Sequence, residues 1–148
     1  MDEQSPSPAT LDQVRQKIDE IDTALLELLR DRFAASVRIR ELKAASGQTG
    51  SSPMRPAREA IVMRRLMTAC NEPLPASLMV RLWREIISSS TLIQADATVH
   101  CSKATLAQSH LRDLITDHFC QIPVVEHDTD DDALTAATGA EAAVAVLV

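Results

Sequence analysis

The sequence is poor in the residues that build tight turns and aromatic surfaces. It has three glycines, two phenylalanines, one tryptophan and no tyrosine among 148 residues. So few glycines disfavour a β-sandwich or barrel, because those folds need many tight turns. The scarcity of aromatic rings argues against binding single-stranded nucleic acid by base stacking, and the formal charge of −6 argues against binding phosphate backbones. The core must therefore be aliphatic, and we expect no nucleic-acid partner.

Long apolar runs and paired cysteines are also missing. No apolar run reaches the roughly 18 residues needed to span a bilayer, so we expect no membrane partner. Residues 1–4 are acidic and lack the apolar stretch of a signal peptide. The three cysteines, Cys70, Cys101 and Cys120, form no paired framework. These features favour a reduced, cytoplasmic location.

Charge is spread unevenly and suggests a domain boundary near residue 95. Residues 1–95 hold 13 Lys and Arg against 12 Asp and Glu, whereas residues 96–148 hold 2 against 9. All four histidines lie in the second part. We predict a flexible tail over residues 1–9, a helical domain over 10–95 and a small α/β fragment over 96–148.

The first part of the chain carries three helical patterns. The longest begins at the N-cap residue Thr10, runs to about Ala45 without proline or glycine, and repeats apolar residues every three to four positions. Such a helix is about 50 Å long. Its apolar stripe is too long for one small subunit to cover, so we expect a partner chain. Two further helices are predicted, from Pro56 to Cys70 and from Pro75 to about Gln94, after a loop over Ser46–Pro53.

In residues 96–148 the spacing of apolar residues differs from that of the first part. Short β-type runs alternate with helical segments, which predicts a small parallel sheet in the order β-α-β-α-β. The predicted strands are 97–101, 122–126 and 141–148, and the predicted helices are 105–119 and 130–138.

Several cations fall on apolar helix faces. Arg32 and Lys43 lie within the apolar stripe of the first helix, and Arg15 lies at its edge. An unpaired buried cation costs several kcal/mol, so each needs a counter-charge. Any one of them is explained by a carboxylate on a neighbouring helix, or by a stem that reaches solvent.

The second and third helices repeat this pattern. Arg58 lies on the apolar side of the second helix beside Glu59, and Ser90 and Gln94 continue the stripe of the third. A serine in such a position often bonds to its own helix backbone. Taken together, the inward cations predict a positive pocket for a small anion with more than one carboxylate.

These residues resemble the all-helical (AroQ-class) chorismate mutases. That family carries an Arg early in a long first helix, a second Arg 17 residues later and a Lys 11 residues further, as Arg15, Arg32 and Lys43 do here. An Arg-Glu pair opens its second helix, and its third helix carries a Ser and a Gln four residues apart. In this sequence those elements are Arg58-Glu59 and Ser90 with Gln94.

The resemblance implies a fold and a first set of roles. It implies a mainly α, three-helix chorismate mutase fold that forms an intertwined homodimer, with chorismate as substrate and with neither cofactor nor metal. Arg32 and Arg15 would hold the two carboxylates, with Arg15 reaching in from the other subunit. Lys43 would contact a carboxylate and the ether oxygen.

The remaining roles follow from the same resemblance. Gln94 would be the second donor to the ether oxygen, and Glu59 would accept a hydrogen bond from the ring hydroxyl. Arg58 and Ser90 would complete the pocket. One position departs from the family pattern, because Arg55 stands where some members have Asp. The resulting Arg-Pro-x-Arg-Glu form resembles the mutase part of bifunctional chorismate mutase/prephenate dehydratases.

Residues 96–148 resemble the first strands and helices of a prephenate dehydratase lobe, but without its glycine-rich start. Ser102-Lys103-Ala104 stands there instead, and the region that would carry dehydratase chemistry is absent. We expect no dehydratase activity. The histidines and cysteines of this part match no common zinc spacing, so we expect no metal site.

Two other functions fit part of the pattern. Isochorismate-pyruvate lyase shares the helical fold and a cationic pocket, and identification of the product separates it from a mutase. A non-catalytic helical dimer that senses a small anion would keep the apolar stripe but would not need Lys43 and Gln94 where they are.

Overall fold

A computed structural model describes residues 10–47 and 52–148 of the chain. The predicted tail lies outside these ranges, as do residues 48–51 of the predicted loop. Within them the chain forms six helices and three strands: α1 (Leu11–Ala45), α2 (Pro56–Ala69), α3 (Ala76–Gln94), β1 (Thr98–Ser102), α4 (Lys103–Ala107), α5 (Ser109–Phe119), β2 (Val124–His127), α6 (Asp130–Thr138) and β3 (Ala143–Val146). The prediction of a mainly helical chain followed by a small α/β piece is confirmed.

Local capping explains where α1 begins and ends. The Thr10 hydroxyl accepts from the Gln13 backbone N–H, and the Gln13 side chain accepts from the Thr10 N–H, which is a reciprocal capping box. At the other end Gly47 takes a φ of 65°, a left-handed conformation that stops a helix. The predicted start and end of this helix are therefore confirmed.

The chain divides into two compact units, one up to Ala35 and one from Ser36 onward. In the first, the described residues form the N-terminal part of α1, and most of its large apolar side chains are exposed. Ile18 and Leu25 are each 52 % exposed, and Leu28 is 65 % exposed. The predicted boundary between residues 95 and 96 remains a prediction.

The second unit contains a three-stranded parallel sheet in the order β2-β1-β3. Val99 at the centre of β1 pairs with Val124 on one side and Val144 on the other, and it is fully buried. Ile115 from α5 and Ile122 pack into the same core, and Leu92 and Ala95 at the end of α3 lie against it. The predicted small parallel sheet is confirmed.

The predicted single helix over 105–119 is wrong in two respects. The helical segment starts earlier, at Lys103, because the Ser102 side chain caps it by accepting from the Thr105 N–H at 3.1 Å. It then breaks at Gln108, whose ψ of 106° interrupts the helical hydrogen bonds before α5 begins. The strands also shift by one or two residues from their predicted bounds.

The buried position of Ile115 gives a stability prediction. Replacing Ile115, which is 1 % exposed, with alanine should lower the free energy of unfolding by about 2–5 kcal/mol because it leaves a cavity. The matched control Leu114→Ala, at a side chain 60 % exposed, should change it by no more than about 0.5 kcal/mol. Urea unfolding at equal protein concentration measures both. Equal losses would contradict the described core.

Candidate active site

The seven predicted site residues divide between the two units. Arg15 and Arg32 belong to the first, and Lys43, Arg58, Glu59, Ser90 and Gln94 belong to the second. Arg15 is exposed and pairs with Asp12 one turn away at 3.4 Å. Arg32 is half-buried, and desolvation lowers the pKa of its guanidinium. The partial burial of Arg32 agrees with its predicted position within the apolar stripe of α1.

In the second unit, an arginine joins the ends of α1 and α3. The Arg40 guanidinium donates to the Ile93 backbone carbonyl at 3.1 Å. Lys43 lies one turn after Arg40 and is half-buried, and Gln94 follows Ile93 directly. The contact therefore links the last turns of the two helices that carry the predicted ether-oxygen donors. No pattern in the sequence predicted this role for Arg40.

Ser90 and Gln94 are joined through the backbone of α3. The Ser90 hydroxyl donates to the Ile86 carbonyl at 2.7 Å, and the Gln94 amide donates to the Ser90 carbonyl at 3.1 Å. The back-bonded serine expected from the sequence is thus present, since Ser90 is 6 % exposed. Gln94 is half-buried, and its side-chain oxygen and amide lie on the same face of the helix as Ser90.

Glu59 has a partner that the sequence did not predict. Its carboxylate forms an ion pair with Arg84 of α3 at 3.6 Å, and the two side chains are only 23 % and 21 % exposed. Arg58, by contrast, is exposed. The spacing of Arg84, Ser88 and Thr91 is i, i+4 and i+7 along one face of α3. Ser88 and Thr91 are both buried. The position of Arg84 on the same helix face as these two polar residues was the feature of the sequence that could have predicted its inward orientation.

A small apolar pocket adjoins Glu59. Its volume is about 120 Å³, and Ile87, Phe119, Ile122 and Val144 supply apolar wall. Glu59 and His118 also line it. Glu59 is partly buried at the edge of this pocket, so its ion pair with Arg84 is less screened by water than a fully exposed pair.

Two histidines of the α/β part, His100 and His127, contact one another. His100 Nδ1 lies 2.8 Å from His127 Nε2, and His100 Nε2 lies 3.0 Å from the Thr98 hydroxyl. Among the residues that the structure describes, no three His, Cys, Asp or Glu side chains are grouped so that they could hold a metal ion. In the same ranges, no helix has the length and apolar character to cross a membrane.

Comparisons with known proteins agree with the helical part of this description. The profile of the family "Chorismate mutase type II" matches residues 14–95, a stretch that contains all seven predicted site residues. No solved structure matches the chain significantly.

The curated relatives are bifunctional proteins. A bifunctional chorismate mutase/prephenate dehydratase from Neisseria gonorrhoeae is 36 % identical over 85 residues, which cover 57 % of this chain and 22 % of that protein. The proteins of the same description from Pseudomonas aeruginosa and Stutzerimonas stutzeri are 34 % and 33 % identical over 83 residues, 55 % of this chain and 23 % of each relative. The chain spans less than a quarter of the length of these relatives. Because the family profile covers more than half of the chain, this protein belongs to the chorismate mutase type II family.

Proposed function

We propose that this protein catalyses the rearrangement of chorismate to prephenate, as a chorismate mutase of phenylalanine and tyrosine biosynthesis. The observation that carries the proposal is the family match over residues 14–95, which includes every residue of the predicted anion pocket. The curated relatives, whose names include chorismate mutase, support it. The three free cysteines support a cytoplasmic location as part of the same proposal.

The proposed chemistry suits the residue types in the site. The rearrangement is a one-substrate pericyclic reaction, which needs neither nucleophile nor metal nor cofactor. The protein must hold the enolpyruvyl side chain over the ring, and Arg32 and Arg15 would do so by binding the two carboxylates. This positioning removes much of the entropic part of the barrier.

Electrostatic stabilisation would supply the rest of the rate enhancement. Negative charge grows on the ether oxygen as its bond to carbon breaks. Lys43 and Gln94 would donate hydrogen bonds to that oxygen, and these bonds strengthen in the transition state relative to the ground state. Glu59 would accept from the ring hydroxyl, while Arg58 and Ser90 would complete the pocket.

We also propose that two chains form an intertwined homodimer. The exposed apolar stripe of α1 supports it, because side chains such as Ile18, Leu25 and Leu28 lie about half exposed or more on one helix. Arg15 would then enter the site of the other subunit. The ion pair of Arg15 with the exposed Asp12, one turn away, is a weak surface interaction. A substrate carboxylate can therefore replace Asp12 as the partner of Arg15.

Product identification tests the proposed reaction. The protein is mixed with chorismate, loss of absorbance is followed continuously, and the product is converted by acid to phenylpyruvate. We expect prephenate that depends on the protein. If isochorismate gives salicylate and pyruvate instead, the protein is a lyase. If a folded dimer leaves both compounds unchanged, it is not an enzyme of this class.

Substitution of the cations tests the site. Lys43→Ala and Arg32→Ala should each lower kcat/KM by at least about 10²-fold, because each removes a charged donor to the substrate. Lys17→Ala is the matched control, since Lys17 lies on the same helix and pairs with Glu20 at the surface. Circular dichroism should show unchanged helicity in all three. Near-normal turnover in either site variant would overturn the assignment.

A charge placed on the apolar stripe tests the dimer. Leu25→Lys should produce a protein with the 16.1 kDa mass of one chain, whereas the unsubstituted protein should have twice that mass. Glu27→Lys is the control, because it introduces the same side chain about 200° around the helix. Sedimentation or light scattering measures the mass. A dimeric Leu25→Lys variant would mean that this stripe is not the interface.

A further inference from the structure

Titratable and charged side chains from three helices meet beside the small pocket. Glu59 comes from α2, Arg84 from α3 and His118 from α5, so the last of them belongs to the α/β part of the chain. One guanidinium nitrogen of Arg84, Nη1, lies 3.6 Å from the Glu59 carboxylate and 3.2 Å from His118 Nε2. Arg84 is therefore held between the other two.

The proton arrangement of this contact is fixed by chemistry. A guanidinium has only donors, so His118 Nε2 must be the acceptor and must carry no proton. His118 is then neutral, with its proton on Nδ1. Desolvation of the ring, followed by the nearby Arg84 cation, lowers the pKa of His118 below its ordinary value of 6.5, and Glu59 acts in the opposite direction.

Other charged groups face this corner of the molecule. Glu85 on α3 accepts a hydrogen bond from the Gln121 amide at 3.3 Å, and Asp117 precedes His118 on α5. Neither replaces Arg84 as the partner of the imidazole. Ile87 and Phe119 line the adjoining pocket, so one side of the contact is apolar, whereas His118 itself is exposed to solvent.

We propose that Arg84 and His118 are positioning residues for Glu59. His118 orients the guanidinium of Arg84, and Arg84 fixes the direction of the Glu59 carboxylate. The inference rests on the proposed mutase function, in which that carboxylate accepts a hydrogen bond from the ring hydroxyl of the substrate. It gives residues 96–148 a part in the site, because α5 supplies the orienting imidazole.

Protonation of His118 should disturb this arrangement. A protonated Nε2 no longer accepts from Arg84, and the imidazolium repels the guanidinium while it attracts Glu59. Because the pKa of His118 is lowered from its ordinary value, the neutral ring and the contact persist at neutral pH and are lost as the pH falls through that lowered pKa. Substrate affinity should decline over the same interval, since Glu59 loses its fixed direction.

Kinetics of matched variants test the inference. Arg84→Gln should lower kcat/KM by about 10-fold, mainly through KM, and His118→Ala should lower it by about 3- to 10-fold, because each loses one hydrogen bond or ion pair of the arrangement. His118→Gln keeps an acceptor that cannot be protonated. This variant should retain most of the activity at neutral pH. Its activity should also fall less at acidic pH, because the contribution of His118 protonation is absent. Arg81→Gln and His110→Gln, exposed residues on the same two helices, are the controls.

A measurement without substrate tests the contact itself. The His118 ring is titrated by nuclear magnetic resonance in the whole chain, with His118→Gln used to assign its signals. Arg84→Gln should raise the midpoint, because it removes a neighbouring cation, and Glu59→Gln should lower it. Midpoints that do not move would overturn the inference, whatever the activity.

The outcomes separate this inference from the proposed function. An unsubstituted protein that leaves chorismate unchanged overturns both. An active protein whose Arg84→Gln and His118→Ala variants keep normal kinetics overturns the inference alone. If His118→Ala does not fold, the pH profile of His118→Gln decides, because a purely structural role would leave the acidic decline in place.

Discussion

The apolar stripe of α1 is the constraint on which the remaining arrangement depends. A 35-residue helix exposes large aliphatic side chains such as Ile18, Leu25 and Leu28 along its length. Covering such a surface is worth roughly 25 cal/mol for each Å² removed from water, which is a strong drive toward association. The same helix carries Arg15, Arg32 and Lys43. A chain that packs on the stripe therefore also determines the surroundings of these cations. For this reason the proposed site depends on the proposed dimer.

Desolvation connects packing to chemistry in this protein. Arg32 and Lys43 are half-buried on an otherwise apolar stripe, and the pKa of Arg32 falls because of that burial. A fixed, partly desolvated cation interacts with an anion far more strongly than a hydrated one does. A reaction that needs no cofactor can be accelerated by such fixed charges alone. The Glu59 carboxylate is also partly buried, and Arg84 places a compensating positive charge beside it.

The sequence predicted the elements better than the side-chain contacts. Periodicity and caps were enough for α1, since Thr10 and Gly47 act through local hydrogen bonds and backbone conformation. The break at Gln108 was missed because no proline or glycine marks it. The candidate site residues came from cations and polar side chains on apolar helix faces, and a resemblance with specific spacing then assigned their roles. The contact of Arg84 with His118 was missed for a different reason, since 34 residues separate them and no local pattern encodes it.

Helix α3 explains how the α/β part could influence a site built from helices. One of its faces carries Ser90 and Gln94, while Leu92 and Ala95 pack against the core formed around Val99 and Ile115. The helix is therefore held from the side opposite its proposed catalytic groups. Removal of residues 96–148 would expose the Leu92 and Ala95 side chains that pack against this core. A single change at His118 removes the polar contact with Arg84 and leaves both the Gln121–Glu85 hydrogen bond and the packing of Leu92 and Ala95 in place.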